Sequence, residues 1–397
     1  MTTRATPAAD VAPTPDGWAR RVALLAVGSF AMGTDSFVLA GILPQIASGL
    51  GQTIGATGQV VTAFSLTYGM TAPFLAVVTS RLPRKALMAL ALVLFVVANA
   101  VSAAAPTLTA LLVARVAAGL GAALYTPSAS AAAAAVAGVE HRGKALAAIL
   151  GGLTLGTVFG VPLGTWIGQH WSWRSSLVFV ACVGLAPLLG LFALPALPLP
   201  PQIPLGQRLR VLASGPVLAA VTFMLLESAA AIMVYTYISD VLGQTVHATG
   251  GTLSALLLAW GVGGAVGAFG SGVLTDRWGA FRTLLLAVAA LVTSLALLAV
   301  ATWLPLAFAV MTLNGLAGWA VATPNNHRLT EYAPLQPAVV ISFNSSGIYL
   351  GQAVGAALGG VLLGHAVSPT NLCWVGAGVA VLAGVVHLAI GRRPSTS

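Results

Sequence analysis

Three ionisable residues interrupt long apolar stretches of this 397-residue sequence: Asp35, Glu227 and Arg115. A buried carboxylate can take up and release a proton, whereas an arginine keeps its proton and can serve only as a partner. The three residue types therefore suit proton transfer, with Arg115 as a partner whose pairing changes when a carboxylate is protonated. A structural alternative stays open, in which Asp35 is hydrogen-bonded to Arg115 or to a helix backbone and Arg115 is a fixed strut.

Composition places these residues in a membrane. Hydrophobic residues make up 58% of the sequence and charged residues 6%, and the mean hydropathy is +0.96. Soluble globular domains carry about 25% charged residues, so this composition excludes a soluble enzyme, a disordered chain and a disulfide scaffold. Because a charge at the middle of a bilayer costs about 2.5–3.5 kcal/mol, each of the three residues requires a partner or a watery cavity.

Long apolar runs predict twelve membrane-spanning helices, since a helix needs about 20 apolar residues to cross a bilayer. A proline-rich connection separates the first six from the last six. The predicted fold is therefore an all-α membrane protein built from two six-helix bundles. Its predicted parts are a disordered tail (1–19), an N-terminal bundle (20–194), a linker (195–212), a C-terminal bundle (213–390) and a second tail (391–397).

Basic residues gather on one side of the predicted spans. Alternate loops, together with the tails, hold 15 of the 17 Lys and Arg residues, and the exceptions are Arg115 and Arg174. Loops rich in Lys and Arg stay in the cytoplasm, so both termini are expected there, in the cytoplasmic membrane of a bacterium. The basic residues occur in twos and threes rather than in a continuous stripe, which argues against nucleic acid as a partner.

An internal repeat relates the two predicted bundles. Gly121 and Thr126-Pro127 recur 197 residues later as Gly318 and Thr323-Pro324. Such duplication is typical of transporter folds, in which the binding site lies at mid-membrane between the repeats. The candidates for the wall of such a cavity are Phe37, Tyr68, Tyr125, Phe223, Tyr235, Trp260 and Asn344. Their aromatic surface suits a moderately hydrophobic small molecule, although helix packing explains any single one of them equally well.

A strip of glycines follows one face of the fifth predicted span. Gly156, Gly160 and Gly164 recur every four residues, with Pro162 among them. Glycines at this spacing let a second backbone approach closely, and proline removes a helix hydrogen bond. The strip predicts ordinary tight packing or a sliding seam between the halves, and the two are compatible, since alternating access needs a packed interface that can rearrange.

The sequence contains no phosphate-binding loop and no metal-ligand spacing. We therefore expect no metal and no cofactor. An ion gradient, rather than ATP, is the expected source of energy.

The chain resembles the major facilitator superfamily, and within it the twelve-span drug:proton antiporters of the chloramphenicol-resistance and arabinose-efflux type. The resemblance covers about residues 20–390 and rests on stretches such as GTDSFVLAGILPQIA (33–47), ARVAAGLGAAL (114–124) and GTVFGVPLGTWIGQ (156–169). It implies the major facilitator fold, with two pseudo-symmetric bundles, in a monomer that works by alternating access.

The resemblance also implies roles for particular residues. Arg115 would be linked to proton transfer, and the strip around Pro162 would be an antiporter motif. The family's cytoplasmic gating motif is matched by Arg81, Arg84 and Lys85 and, in its repeat, by Asp276, Arg277, Gly279 and Arg282. The sequence departs from the family pattern at Ser80 and Pro83, and also at Ser36, where related exporters often carry an acidic residue.

Three functions are kept as hypotheses. The first is proton-coupled efflux of a drug or metabolite, with a small molecule, protons and the lipid bilayer as partners. The second is uptake by a proton-coupled symporter or a facilitator of the same fold. The third is a non-transporting membrane receptor, which the lack of a sizeable soluble domain disfavours.

Overall fold

The computed structural model describes residues 17–79, 82–191, 206 and 210–391. Within these ranges the regular structure is helical, without a strand. The α-helices in chain order are α1 (Trp18–Leu50), α2 (Ile54–Thr57), α3 (Gln59–Val78), α4 (Arg84–Ala104), α5 (Leu108–Leu155), α6 (Val161–His170), α7 (Trp173–Gly190), α8 (Gly215–Thr236), α9 (Ile238–Val246), α10 (Gly250–Leu298), α11 (Leu304–Trp319), α12 (Ala322–Tyr332), α13 (Pro337–Gly364) and α14 (Pro369–Ile390).

Nine helical segments of the described chain are long and apolar enough to cross a membrane. Two of them continue through a glycine whose backbone is not helical: Gly138 (φ 70°) and Gly279 (φ 80°). Each of the two contains two spans, because the positive φ that glycine permits ends one helix and begins the next. Helix α3 adds a segment of 20 residues, so nine, two and one give the predicted twelve. The prediction of an all-α membrane protein is confirmed.

Parts of the predicted organisation lie outside the described residues. These parts are 1–16, the last three residues of the predicted N-terminal bundle (192–194), most of the linker (195–205 and 207–209), 392–397 and the loop residues Ser80 and Arg81. Helix α1 begins at Trp18 and α8 at Gly215. The predicted boundaries of the two bundles stay predictions.

The glycine strip of the fifth span packs against α1 in the same half. A side chain added at Gly156 would collide with the Phe30 carbonyl oxygen, and one at Gly164 would lie 2.6 Å from a Val38 methyl group. Glycine is needed along this line because α1 lies directly against it, through its backbone at Phe30 and a side chain at Val38. The strip therefore fits tight packing within the first half, and its role in a sliding seam between the halves stays a prediction.

The second half repeats this contact. In α13, side chains added at Gly351 and Gly355 would collide with the carbonyl oxygens of Leu225 and Ala229 in α8. Each partner is displaced from its counterpart in the first half by the same number of residues, since 351 − 156 = 195 and 225 − 30 = 195. The pairs α1 with the fifth span and α8 with α13 are thus structural repeats.

Helix geometry changes where the strip reaches Pro162. Residues Gly156–Gly160 form a short π-helix between α5 and α6, because proline has no N–H with which to continue the α-helical pattern. The π-helix also touches the other half, where a side chain added at Gly261 of α10 would lie 2.7 Å from the Val158 Cα atom. The halves meet here and, on another face of the molecule, through α3 and α13.

The bundle has two ends. We use "basic end" for the end that carries the α3–α4 connection (82–83), Gly138 and Gly279. We use "opposite end" for the end that carries the connections at 51–53 and 299–303.

Candidate functional site

A cavity of about 340 Å³ lies between the two halves. Its wall takes residues from α1, α3 and α5 of the first half and from α8, α10, α11, α12 and α13 of the second. Both its size and its place between the repeats are typical of a site for a small molecule. The wall includes Ser36, Phe37, Tyr68, Glu227, Tyr235, Trp260, Trp319, Asn326, Asn344 and Tyr349.

Glu227 brings a carboxylate to this wall from α8. The residue is 1% exposed. One carboxylate oxygen accepts a 3.5 Å hydrogen bond from Ser228 Oγ, and the other has no hydrogen-bond partner among the described residues. No basic side chain in the described ranges lies within 4.0 Å of it. Since an unpaired buried charge is unfavourable, this carboxylate can bind a proton or a cationic group.

Asp35 and Arg115 form a buried ion pair behind the cavity wall. Arg115 Nη1 lies 2.8 Å from Asp35 Oδ1, and the two side chains are 1% and 0% exposed. Nη1 also lies 3.5 Å from Asn99 Oδ1, and the guanidinium lies 4.6 Å from the centre of the Phe64 ring. Asp35 Oδ2 and Arg115 Nε have no partner in the part of the chain that the structure describes. Protonation of Asp35 would therefore remove the ion pair that holds Arg115.

Ser36, the neighbour of Asp35, faces the cavity. Its hydroxyl donates a 2.8 Å hydrogen bond to Met32 O of the same helix, and it interacts with Tyr349 of the other half. One helical step turns a side chain by about 100°, which is enough to separate the two neighbours. On α1, a serine rather than a carboxylate meets the space that a ligand would occupy.

Aromatic rings form much of the apolar wall. The Phe37 ring centroid lies 5.6 Å from Tyr235, 5.4 Å from Trp260 and 5.8 Å from Trp319. These rings come from both halves, so the predicted aromatic wall joins the two bundles. The predicted wall residues found at the cavity are Phe37, Tyr68, Tyr235, Trp260 and Asn344.

Two predicted wall residues lie elsewhere. Tyr125 is fully buried, and its hydroxyl donates a 2.7 Å hydrogen bond to Leu25 O. Phe223 is also fully buried, with its ring 5.5 Å from the Arg328 guanidinium and 5.4 Å from the His387 ring. Both side chains pack between helices, so the prediction that they line the cavity is wrong. An aromatic residue in a span does not by itself reveal which helix face meets a cavity.

A buried polar network in the second half was not predicted. Arg328 Nη2 donates a 2.7 Å hydrogen bond to Asn325 Oδ1, and Asn325 Nδ2 donates one of 2.7 Å to Asn344 Oδ1. Asn344 Nδ2 donates one of 2.8 Å to Asn326 Oδ1 on the cavity wall. The sequence signal is the polar run 325–328, which looks like a loop but continues α12 into the bundle.

The second gating motif lies at the basic end. Asp276, Arg277 and Arg282 are exposed, and no ion pair within 4.0 Å joins Asp276 to another described residue. Gly279 is the residue at which α10 bends, with φ 80° and ψ 157°. A residue with a Cβ rarely adopts that backbone, so glycine at this place in the motif has a structural reason.

The first gating motif is described only in part. Arg84 and Lys85 begin α4, directly after Pro83. Arg81 lies outside the described residues. The role of the two loops as gates stays a prediction.

The two halves close on each other at the opposite end. Ser239 Oγ donates a short hydrogen bond to Ala40 O, and a side chain added at Gly360 would lie 2.6 Å from Gly55 O. Towards the basic end the wall includes exposed side chains such as Leu146, which is 38% exposed. The cavity therefore reaches the surface at the basic end and is shut at the opposite end.

Comparison with known proteins yields a family and relatives of nearly the same length. Residues 25–339 match the family model described as Major Facilitator Superfamily. The chain is 31% identical over 376 residues to the inner membrane transport protein YdhP of Escherichia coli (strain K12), which covers 94% of this chain and 96% of the relative. It is also 31% identical over 357 residues to the chloramphenicol resistance protein of Streptomyces lividans, with 88% and 91% covered.

A solved structure shares the fold. The crystal structure of the nucleoside transporter NupG superimposes with a TM-score of 0.76 and covers 94% of this chain and 100% of that chain. The sequence identity is 14%, so this likeness concerns the fold alone.

Proposed function

Since the chain belongs to the major facilitator superfamily, whose members are membrane transporters rather than enzymes, we propose that it exports a small, moderately hydrophobic molecule in exchange for protons. The cargo is a drug or a metabolite. The protein works as a monomer by alternating access in the cytoplasmic membrane of a bacterium, with both termini in the cytoplasm. The basic end then faces the cytoplasm, and the structure corresponds to an inward-open state.

Glu227 is the main support for exchange. It meets the cavity with one unpartnered oxygen, and no described basic side chain lies within 4.0 Å. A buried carboxylate without a partner is stabilised by a proton or by a cationic or hydrogen-bond-donating group of the cargo. A proton and such a group of the cargo therefore compete for the same oxygen, which is the condition for exchanging one for the other.

The Asp35–Arg115 pair supplies a second proton-dependent contact. When Asp35 takes up a proton, the 2.8 Å ion pair is lost and Arg115 can turn towards Asn99 Oδ1, which lies 3.5 Å from its Nη1. Helix α1 also carries Ser36 and Phe37 on the cavity wall. A change in the pair is therefore transmitted along one helix to residues that face the cargo.

Export, rather than uptake, is supported by a relative. The protein from Streptomyces lividans is named for chloramphenicol resistance, and chloramphenicol is an uncharged aromatic molecule that suits a wall of aromatic rings. Multidrug efflux and antibiotic resistance are therefore part of the proposal. The proton gradient supplies the energy, since one elementary charge gains about 2.3 kcal/mol per 100 mV, and no cofactor is involved.

Transport in liposomes tests the direction. Protein reconstituted with an imposed pH gradient is offered labelled chloramphenicol and a panel of other antibiotics and metabolites. Movement of a compound against the flow of protons is the expected result. Movement in the same direction as the protons would favour the symporter instead, and the absence of gradient-driven flux for every compound would refute proton-driven transport.

The variant Glu227→Gln tests the carboxylate. Glutamine occupies the same space but cannot exchange a proton, so gradient-driven accumulation should be lost while downhill movement of the cargo persists. Glu331→Gln is the matched control, because Glu331 is 62% exposed on α12. Equal gradient-driven transport by Glu227→Gln and the natural protein would refute the role of Glu227.

A further inference from the structure

The hydrogen bonds of the buried network all point the same way, from donor to acceptor, starting at Arg328 and ending at Asn326. Arg328 has donors only, so its 2.7 Å contact with Asn325 must be to Oδ1. Asn325 Nδ2 is then left to donate to Asn344 Oδ1 at 2.7 Å and to the Ala220 carbonyl oxygen at 3.2 Å. Because a carbonyl oxygen can only accept, both ends of the Asn325 amide are fixed independently.

The same direction continues to the cavity. Asn344 Oδ1 accepts from Asn325, so Asn344 Nδ2 donates to Asn326 Oδ1 at 2.8 Å. The amide nitrogen of Asn326 therefore points away from the network, and no described group accepts a hydrogen bond from it. Asn326 is half-buried and lines the cavity. Its two N–H bonds face the space that a cargo would occupy.

Arg328 is held from its other side by a neutral histidine. Nη1 lies 2.8 Å from His387 Nδ1, and His387 Nε2 lies 3.0 Å from Phe281 O. Since the arginine donates and the carbonyl accepts, the histidine carries its hydrogen on Nε2. No carboxylate of the described residues lies within 4.0 Å of Arg328. The positive charge of Arg328 therefore acts on Asn325. Because aligned hydrogen bonds polarise one another, this charge strengthens the N–H donors further along the network, up to Asn326.

Several other polar groups on the wall have the opposite character. Ser36, Thr126 and Ser130 each donate their hydroxyl hydrogen to a carbonyl oxygen of their own helix. The oxygens of these hydroxyls are therefore acceptors, which for Ser36 and Thr126 meet the hydroxyls of Tyr349 and Tyr68, and the Glu227 carboxylate is an acceptor as well. Asn326 differs from them because the network aims its donors at the cavity.

We propose that Asn326 is a cargo-binding residue that sets specificity by donating hydrogen bonds to an acceptor oxygen of the cargo. The inference rests on the proposed function, because it takes the cavity as the cargo site. Arg328 is a positioning residue, which fixes the donor direction of Asn326 without touching the cargo. The cargo class is an aromatic or apolar molecule that bears a nitro, carbonyl or carboxylate oxygen at the end that meets α12.

Direct binding separates this inference from the proposed function. Purified protein is titrated with chloramphenicol, which carries nitro and amide oxygens, and its tryptophan fluorescence is followed, since Trp260 and Trp319 line the wall. The variant Asn326→Asp keeps the acceptor for Asn344 but replaces the N–H donors with an oxygen. We expect chloramphenicol affinity to fall about tenfold in Asn326→Ala and further in Asn326→Asp.

The control variant is Asn371→Asp, which makes the same change at an exposed position near the start of α14. It should bind chloramphenicol as the natural protein does. Unchanged chloramphenicol affinity in Asn326→Asp would overturn the inference. So would the absence of saturable binding to the natural protein. Binding without proton-driven transport would leave the inference standing and count only against the proposed function.

A second probe reports the direction of the hydrogen bond. Ethidium is a cation with aryl amine donors and no acceptor oxygen, so its affinity should be unchanged or higher in Asn326→Asp. Equal weakening of both probes would indicate a general defect and overturn the inference. Arg328→Met should reduce the preference for chloramphenicol over ethidium, whereas Arg328→Lys, which keeps a donor for Asn325, should restore it.

Discussion

Asp35 and Glu227 lie at different levels of the two related halves. The glycine contacts align Phe30 with Leu225, an offset of 195 residues, which sets Glu227 level with Met32, since 227 − 195 = 32. Three residues separate that level from Asp35, about 4.5 Å along a helix axis. The two carboxylates are therefore not copies of one site: one meets the cavity, and the other is held in a buried ion pair.

Removing the carboxylate of the ion pair should lower stability and abolish coupling. In Asp35→Asn, Arg115 keeps its charge but loses a partner at 2.8 Å, and breaking a buried pair in this way costs about 3–5 kcal/mol. We expect a lower melting temperature in the purified protein and no proton-driven transport in liposomes. The double variant Asp35→Asn/Arg115→Gln should recover the melting temperature without recovering transport. Full gradient-driven transport by Asp35→Asn alone would contradict the role of Asp35.

A single methyl group should distinguish the two faces of the fifth span. In Gly156→Ala the added Cβ collides with the Phe30 carbonyl oxygen, whereas at Gly151 nothing lies within 4 Å. We expect Gly156→Ala to destabilise the protein by about 1–3 kcal/mol. Gly151→Ala should be neutral or stabilising, because alanine favours a helix more than glycine does. Thermal unfolding of the two variants is the measurement, and equal melting temperatures would argue against the backbone contact.

A side chain at Gly360 should prevent closure at the opposite end. A Cβ there would lie 2.6 Å from both Gln59 Nε2 and Gly55 O, across the boundary between the halves. We expect Gly360→Val to shift the population towards a state open at that end. Gln52 and Gln244 are exposed positions in opposite halves. Spin labels attached to cysteines in Gln52→Cys and Gln244→Cys should then move apart by several ångströms.

Two further changes complete that measurement. Cys182 and Cys373 are replaced by serine so that the labels attach only at the chosen sites. Gly364→Val is the matched control, because a Cβ at Gly364 meets nothing within 4 Å. The same label distances in Gly360→Val and Gly364→Val would contradict a closure built on glycine.

Asp240 should make stability depend on pH. It lies in the short helix α9, outside the membrane spans, and burial raises its pKa from 3.8 to about 6. The folded state favours the protonated form of Asp240. Its contribution to the free energy of unfolding is therefore present at low pH and is lost as the pH rises through about 6. The melting temperature should fall relative to that of Asp240→Asn between about pH 4 and 6 and stay lower above. A difference in melting temperature between the two proteins that grows as the pH falls would contradict this prediction.

The number of helices could be predicted because the bilayer imposes their length, but the partner of each helix face could not. The spacing of Gly156 and Gly160 marks a face that packs closely on another helix, yet nothing in the spacing says that this helix is α1. For the same reason Tyr125 and Phe223 were expected at the cavity, although their rings turn towards neighbouring helices.

The candidate site was predicted in part. Glu227 and the aromatic wall stand out because polar or aromatic groups in a span are conspicuous. Arg328 and Asn326 do not, because they follow the last apolar residues of a span and resemble a loop. Only the fold shows that α12 carries them inwards, so that Asn344 meets them from α13.

The close contacts of the glycine strip with α1 also constrain how the protein can evolve. Even a methyl group collides at Gly156 with α1, so this face tolerates almost no variation. Other faces of the same helices carry wall residues of the cavity, among them Ser36 and Phe37. New cargo preferences can therefore arise by exchanging wall residues while the frame that holds them is inherited unchanged.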